Sequence, residues 1–443
     1  MLRTNSKCVS PGDIFVALRG VNHDGHDFIE DAIQRGASKI IAEYGLYSVD
    51  TFIVKDTHAY LVEELDRLYR DELKDLTMIG VTGTNGKTTT CSLFRQAVEQ
   101  LGQHCASIGT IGFYTDHFVR PLSNTTPDVL DIYEMLLESK KAGCKYVIME
   151  VSSHALYYHR IGKLLFDVAI FTNLTEDHLD FHKNMEEYAK VKQQLFYHLK
   201  PNGKAIVNQD DPFHSTFLLK QNQNITYGME KDQVDYWIHD IMVTNEGTTF
   251  SLNEESYNMS LLGNYNVYNI TTVLILAELF FQQKIDTTKL FPPIGRLEQI
   301  QNQGRTIIVD YAHTPDAVKK VLQTTQQIAQ GHIITVIGCG GGRDRKKRCL
   351  MGEIANRLSD HCIFTSDNPR NEDPMEILKD MTQNISLEHV EIIENRKEAI
   401  QKGLQICKKN DILLVLGKGH ENYQQIGNVK YEFNDKKVIE ELL

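Results

Sequence analysis

A chain of 443 residues with 41% hydrophobic and 24% charged side chains has an ordinary globular make-up and is too long for one core, so about two to four domains are expected. Its formal charge of −12 argues against non-specific binding of nucleic acid but leaves room for local basic clusters that hold a small anion. The eight cysteines, at 8, 91, 105, 144, 339, 349, 362 and 407, form no C-x-x-C pair, which disfavours a zinc ribbon or a dithiol redox site and fits free thiols in a reducing cytoplasm.

The N-terminal MLRTNSK lacks the apolar core of a secretory signal. Residues 1–75 then read as a small α/β block. GDIFVALRG, SKIIAE and TFIVKD are short strands, and Leu61, Val62, Leu65, Leu68, Tyr69 and Leu73 share one face of a closing helix over 58–73. A second block, 76–295, opens with the strand LTMIGVTG, continues into a helix whose apolar positions are Cys91, Phe94, Ala97, Val98 and Leu101, and adds the strands YVIMEV, DVAIFTN and KAIVN. Alternating strands and helices predict a parallel sheet with covering helices. The apolar run near 272–281 is too short to span a bilayer and contains Glu278, so no stable membrane association is expected. In the third block, 296–443, TIIVDYAHTP, HIITVIGCGGGRD, HCIFTSDNPR and DILLVLGKGHE are apolar strands ending in polar, Gly-rich residues. Open α/β sheets bind ligands at such ends. GCGGGRD fails the dinucleotide pattern G-x-G-x-x-G because Arg343 takes the last position. The expected fold is α/β with three domains: a small N-terminal one, a central P-loop-type parallel sheet and a C-terminal Rossmann-like one.

Chemistry concentrates first at GVTGTNGKTTT, residues 80–90. A common P-loop needs glycine five residues before Gly86, where this chain has Val81, so the loop is a shortened one. Strand before and helix after are the right context for backbone N–H groups of 83–88 to cradle phosphate. Gly83, Thr84, Asn85, Gly86, Lys87, Thr88 and Thr89 are the candidate ATP contacts, with Lys87 on the β/γ-phosphates and Thr88 on Mg²⁺. Glu150, at the end of YVIMEV, is placed to hold the same cation. Asp177, His178, Asp180 and His182 crowd TNLTEDHLDFH. His178 is the better Mg²⁺ ligand and His182 the more structural residue, while a metal-dependent hydrolase built on this cluster is the alternative of another class.

TGTNGKTT, MEVSSHAL, TNLTEDHLDFH, GNYNVYN, GRLE, DYAHTP and GKGHE together resemble, in order and over essentially the whole chain, the motifs of the Mur ligases. These are ATP-dependent amide ligases of peptidoglycan precursor synthesis. The resemblance implies a phosphoryl transfer from ATP to a carboxylate, then attack of an amine on the acyl phosphate. It further implies a CO₂-derived carbamate on Lys192 of YAKVKQQLF as a Mg²⁺ ligand beside Thr88, Glu150 and His178, so that Lys87, Lys192, His178 and Glu150 carry the catalysis. Asn266, Asn269 and Arg296 would lie near the nucleotide, and the Gly295–Arg296 segment would be a hinge that glycine eases.

The resemblance assigns 1–75 to a UDP-sugar, 76–295 to ATP and 296–443 to an amino acid. Ser6 carries over from a D-S-R-like segment whose Asp and Arg are Asn5 and Lys7 here. Thr125, Thr126, Ser152 and Arg160 match positions holding a UDP-N-acetylmuramoyl-dipeptide. Arg343, Asp367, Asn368, Pro369, Arg370, Gly417 and Glu421 match those holding meso-diaminopimelate; L-lysine is the alternative amine. Arg370 has a physical rationale: a guanidinium pairs the second carboxylate of diaminopimelate and repels the bare ammonium of lysine. Gly342 stands where aspartate is usual, and Arg345-Lys346 makes the neighbouring loop more basic. A cytoplasmic monomer is expected.

Overall fold

The computed structural model describes residues 1–20, 23–342 and 344–443 and contains three principal sheets. Arg343, expected to contact the amino acid, lies outside the described residues. The first sheet has four parallel strands in the order Leu2–Arg3, Ile14–Val16, Lys39–Ala42 and Asp50–Ile53. The three expected strands are present but shorter, and Leu2–Arg3 is an addition too short to show an alternating pattern. The helix Thr57–Leu73 is capped by Asp56, which accepts from Ala59 N–H, and it buries Leu61, Leu65 and Leu73. Leu68 departs from the expected face and is exposed. At about 100° per residue it falls outside the arc running from Leu61 to Leu73.

That helix does more than close its own block. It packs against the helix Val129–Lys141, and one apolar cluster runs from Leu2, Val16, Ile41, Leu61 and Leu65 into Ile108, Leu136, Phe166 and Leu195. Arg3 adds an ion pair to Glu134 across the same boundary at 3.1 Å. The first sheet is therefore held by burial shared with the second.

The second sheet has eleven strands. Its parallel centre, in spatial order, is Gln223–Gly228, Leu199–Asn208, Phe166–Phe171, Thr77–Thr82, Tyr146–Glu150 and Cys105–Gly109. The four inner strands, from Phe166–Phe171 to Cys105–Gly109, are buried on both faces almost throughout, as cover by helices on both sides requires, whereas Gln223–Gly228 begins exposed and polar. The helix Asn264–Phe281 contains the long apolar run and is an internal element, with Ile270, Val273, Ile275 and Leu276 buried. Among the described residues no helix is long and apolar enough to cross a membrane.

The third sheet has six strands, parallel except for its first pair. Asp310, Leu416, Ile337 and Phe364 are aligned partners at the carboxyl ends of four neighbouring strands, so the loops that follow them emerge side by side. Arg396 holds one of those ends, at Leu416, and the turn that follows another, at Ser366 O 3.4 Å away. It is fully buried, donates to Leu416 O at 3.0 Å and to Asp435 at 2.7 and 2.8 Å, and its pKa stays above the ordinary arginine value because Asp435 outweighs the cost of burial.

The linker to this third sheet is anchored by the helix Lys87–Gln100. Gln96 exchanges two hydrogen bonds with the backbone of Phe291, at 2.9 and 3.0 Å, and Gln100 two with that of Asp286, both at 3.2 Å. Beyond them Gly295 takes φ +71°, and a Cβ there would lie 2.1 Å from His420 N. Glycine is required at this point by the close approach of the 417–421 loop as well as by its backbone angle.

Removing the partner of a buried charge is more costly than the pair itself is stabilising. Asp435→Ala should therefore destabilise the third domain by about 3–5 kcal/mol, read as loss of its unfolding transition to lower denaturant concentration. A loss under about 1 kcal/mol would show that water reaches Arg396 and that the pair is not a structural anchor.

Candidate functional site

The phosphate loop owes its short form to the segment that follows the neighbouring strand. Thr84 N–H donates to Asn173 O at 2.8 Å and Asn85 N–H to the Asn173 side chain at 3.0 Å. Asn85 O in turn accepts from Thr172 Oγ1 at 2.7 Å and Asn173 Nδ2 at 3.1 Å. Gly86, at φ +91°, lets Asn269 approach to where a Cβ would sit 2.5 Å from its Oδ1. The helix Lys87–Gln100 begins there with no side-chain cap, leaving its first N–H groups free of intrahelical partners and open to an anion.

Two cavities meet at this loop. The larger, about 920 Å³, runs between the helices Asn264–Phe281 and Pro315–Ile328 and includes Asn266, Asn269, Arg296 and Asp310. The smaller, about 300 Å³, includes Lys87, Thr88, Glu150, His178 and Lys192 on one side and Asp367, Asn368, Arg370, Gly417 and Glu421 on the other. Asn85, Gly86, Thr89 and Arg296 line both. Arg296 stacks 4.5 Å over the Tyr311 ring, and its buried Nε has no hydrogen-bond partner. It has a donor to spare between the cavities.

Charge in the smaller chamber is set by burial. Lys87 folds back to donate to Gly83 O at 2.8 Å and Thr84 O at 2.7 Å, and desolvation lowers its pKa against the pull of Glu150 and Asp177. Lys192, 1% exposed, donates to Gly83 O at 2.9 Å and lies 4.6 Å from the Tyr188 ring. Desolvation, reinforced by Lys87, drives its pKa well below that of an ordinary lysine. Glu150, 1% exposed, accepts from Thr88 Oγ1 at 2.9 and 3.0 Å and from Thr110 N–H at 2.7 Å. Burial lowers the His178 pKa, opposed by Asp177 at 3.4 Å. Burial works against the Asp177 carboxylate, but His178, His313 and Lys347 more than offset it and hold its pKa low. The hydroxyl of Thr88 and the oxygens of Glu150 are the hard donors that suit Mg²⁺. The hydrolase alternative has no such support: among the described residues no three His, Cys, Asp or Glu side chains gather to hold a metal, and His182 turns to Ser153 Oγ at 3.0 Å.

Three models of one family match the chain in order. "Mur ligase family, catalytic domain" covers residues 1–71, "Mur ligase middle domain" 81–277, and "Mur ligase, glutamate ligase domain" 295–419. A relative from Halalkalibacterium halodurans named UDP-N-acetylmuramoyl-L-alanyl-D-glutamate--2,6-diaminopimelate ligase is 38% identical over 100% of this chain and 94% of its own. The chain belongs to the Mur ligase family. A Geobacillus kaustophilus relative of the same name is 40% identical over 99% of this chain and 93% of its own. A solved ligase of that name aligns with 33% identity and a TM-score of 0.70 over 100% of this chain and 94% of that one.

Within this Mur ligase the remaining expected residues divide. Thr125 and Ser152 line the small chamber, Thr125 Oγ1 lying 3.0 Å from Thr110 Oγ1. Thr126 donates to Glu150 O at 2.9 Å and accepts from Ser152 N–H at 3.0 Å, while Arg160 donates to Thr126 O at 3.2 Å and pairs with Asp128 at 2.8 Å. Thr126 and Arg160 thus support the chamber from outside its lining. Ser6 is buried in the first block, against the Asp31 carboxylate, whose pKa it helps lower. Pro369 supplies backbone between Asn368 and Arg370 and is not itself in the lining. Arg370 adopts φ +52°, donates to Gly341 O, and is tied to the strand Tyr423–Ile426 through Gln425 O at 3.0 Å.

Sequence reasoning missed several neighbours. Lys418 is fully buried and bonds Asn368 Oδ1 at 3.1 Å and Glu421 Oε2 at 2.8 Å, holding the two loops together. Asp316 accepts from Asn85 Nδ2 at 3.0 Å, joining the third block to the phosphate loop. His313 and Lys347 enter the chamber from different segments, beside Asp177 of the TNLTEDHLDFH cluster. GKGHE and DYAHTP drew attention to their loops, but no spacing rule connects these side chains.

Burial presses His182 and His313 to about 4 and His420 to about 3, against 6.5 for a free imidazole. Between those values the unfolded chain binds more protons than the native one, so stability is full above about pH 6.5 and falls as pH drops toward 4. Thermal melts should show a falling Tm over that window and little change from pH 7 to 8, and His182→Gln should flatten the slope. An unaltered slope in that variant would exclude His182 as a source.

Proposed function

We propose that this Mur ligase adds meso-diaminopimelate to the D-glutamate of UDP-N-acetylmuramoyl-L-alanyl-D-glutamate, with conversion of ATP to ADP and phosphate. The observation that carries the reading is the single chamber of about 300 Å³ shared by the phosphate loop and the loops at Asp367–Arg370 and Gly417–Glu421. Activation of a carboxylate and attack by an amine need their sites to meet, and a cavity lined by both sets of candidate residues supports that reading. In this reading 1–75 holds the UDP-sugar with Ser6, 76–295 holds ATP and the dipeptide with Thr125, Thr126, Ser152 and Arg160, and 296–443 holds the amino acid with Arg343, Asp367, Asn368, Pro369, Arg370, Gly417 and Glu421. One chain lines both cavities, which supports a monomer, and the need for ATP supports a cytoplasmic location.

A carboxylate and an ammonium do not condense at neutral pH because hydroxide is a poor leaving group. The substrate carboxylate oxygen bonds to the γ-phosphorus, and the β–γ bridging bond breaks with its electrons leaving on ADP. The ammonium gives up one proton to bulk water to become the free amine, whose nitrogen bonds to the acyl carbon, and phosphate leaves with the C–O electron pair and takes the second proton. Gly83, Thr84, Asn85, Gly86, Thr88 and Thr89 orient the phosphates, Asn266 and Asn269 border the nucleotide, and Lys87 and Arg296 meet the charge on the transferring group. Thr88, Glu150 and His178 would hold Mg²⁺, which neutralises phosphate charge when bound. The rest of the chamber keeps water away from the acyl phosphate.

Arg370 favours an amino acid bearing a second carboxylate. The test is ADP release with the UDP-dipeptide and either amine. Diaminopimelate should exceed L-lysine in kcat/KM by about 10²–10³-fold, and Arg370→Ala should remove most of that margin. A preference for L-lysine in the unaltered protein would overturn the choice of amine and leave the ligase assignment standing.

Lys192 would carry a carbamate as a further Mg²⁺ ligand. Carbon dioxide adds only to an unprotonated amine, and its burial favours that form. Protein equilibrated with ¹³CO₂ should give a carbamate resonance that Lys192→Ala lacks, and that variant should lose at least ~10²-fold in kcat. Active protein with no such resonance would refute the modification.

A further inference from the structure

The helix Lys346–Leu358 begins with basic residues and has no acidic one in its first turn, an arrangement opposed by the helix dipole. Two of its basic neighbours are compensated locally. Arg345 pairs with Asp380 through two bonds of 2.9 Å, and Arg348 with Glu372 at 2.8 and 2.9 Å and Asp380 at 2.9 Å. Lys347 is not. Among the described residues its Nζ makes no hydrogen bond, and its ion-pair neighbour is Asp177 of the second block, at 3.7 Å. Yet its side chain is only 18% exposed and lines the reaction chamber. Cys339, Gly340, Met351 and His313 around it bring no negative charge, and the proximity of Lys347 helps keep the His313 imidazole neutral. A cation whose ammonium makes no hydrogen bond among the described residues, 3.7 Å from a single carboxylate, faces this polar cavity.

The reaction brings two kinds of anion there: the transferring phosphoryl group and the carboxylates of the amino acid. Lys347 lies beside Asp177, next in sequence to His178 and near enough to influence Lys87, and so on the phosphate-loop side of the chamber. Arg370 serves the opposite side. Building on the proposed reaction, we infer that Lys347 is a further catalytic residue, brought by the C-terminal part of the chain to the oxygens of the transferring phosphoryl group. It donates hydrogen bonds to those oxygens while the carboxylate–phosphorus bond forms and the bond to ADP breaks, and it keeps its own proton throughout. The acyl phosphate then forms efficiently only when the two parts of the chain are together, so ATP is not committed while the amine site is distant.

Trapping the acyl phosphate with hydroxylamine, in place of the amino acid, isolates this step. With UDP-dipeptide and ATP, Lys347→Met should form hydroxamate about 10²-fold more slowly, and Lys347→Arg should recover to within about tenfold of the unaltered protein. In calorimetry, Lys347→Met should bind ADP within about threefold of normal but lose at least about tenfold in affinity for ADP with aluminium fluoride, which mimics the phosphoryl group in flight. Lys347→Gln, judged by the same readouts, replaces the methionine variant should that one fail to fold. Normal trapping in the neutral variants, or a loss confined to KM for diaminopimelate, would overturn the inference and leave the proposed function intact. No hydroxamate from the unaltered protein would refute the proposed reaction, and this role with it.

Discussion

The hold of Thr172 and Asn173 on the backbone of Thr84 and Asn85 is the constraint on which the site depends. A loop shortened relative to the common P-loop cannot stabilise its own turn, so it takes hydrogen bonds from the end of the adjacent parallel strand. That strand pairs with the one feeding the loop, which fixes the loop to the sheet rather than to its own flexible residues. Asn269 closes the third side, at a separation only glycine at 86 allows. The uncapped start of Lys87–Gln100 then points between two cavities, and the same helix anchors the linker through Gln96 and Gln100. The candidate phosphate loop and the strap that leads to the third sheet thus share one helix, Lys87–Gln100.

Electrostatics in the chamber follow from desolvation more than from pairing. Lys87 and Lys192 both turn to carbonyl oxygens, with Gly83 O common to the two, and both have depressed pKa values. Two buried amines that share one carbonyl acceptor cannot both stay fully charged at low cost. Such a pair suits a site whose charge changes through the reaction. Glu150 is held by neutral donors, Thr88 and Thr110, leaving its negative charge available to a cation.

Much of this was legible beforehand because it is local. Strand, glycine turn and helix around 77–100 follow from apolar periodicity and glycine placement, and the four strand ends of the third block from polar residues following apolar runs. Family motifs supplied Lys192, which composition and spacing alone would have left as a surface helix lysine. Lys192 shares a buried face with Tyr188, Leu195 and Phe196, while Lys190, two positions earlier, is exposed. Leu68 was misjudged because a stripe edge is set by the partner helix, and the close approach at Gly295 was not foreseen because it involves residues more than a hundred positions away.

The sequence by itself determined that the protein is α/β, that it presents a phosphate loop of unusual length, and that polar clusters end its third-block strands. These are short-range properties, written in periods of two and 3.6 residues and in the conformational freedom of glycine. Only the tertiary structure decided which clusters face each other: that Asp367, Asn368, Arg370 and Glu421 share a cavity with Lys87 and Glu150, that His182 sits behind its lining on Ser153, and that Lys418 and Lys347 differ, one with two hydrogen bonds and one with none among the described residues. Those outcomes rest on how two sheets dock across a linker. Docking is fixed by burial of surfaces drawn from distant segments, and no local pattern encodes it.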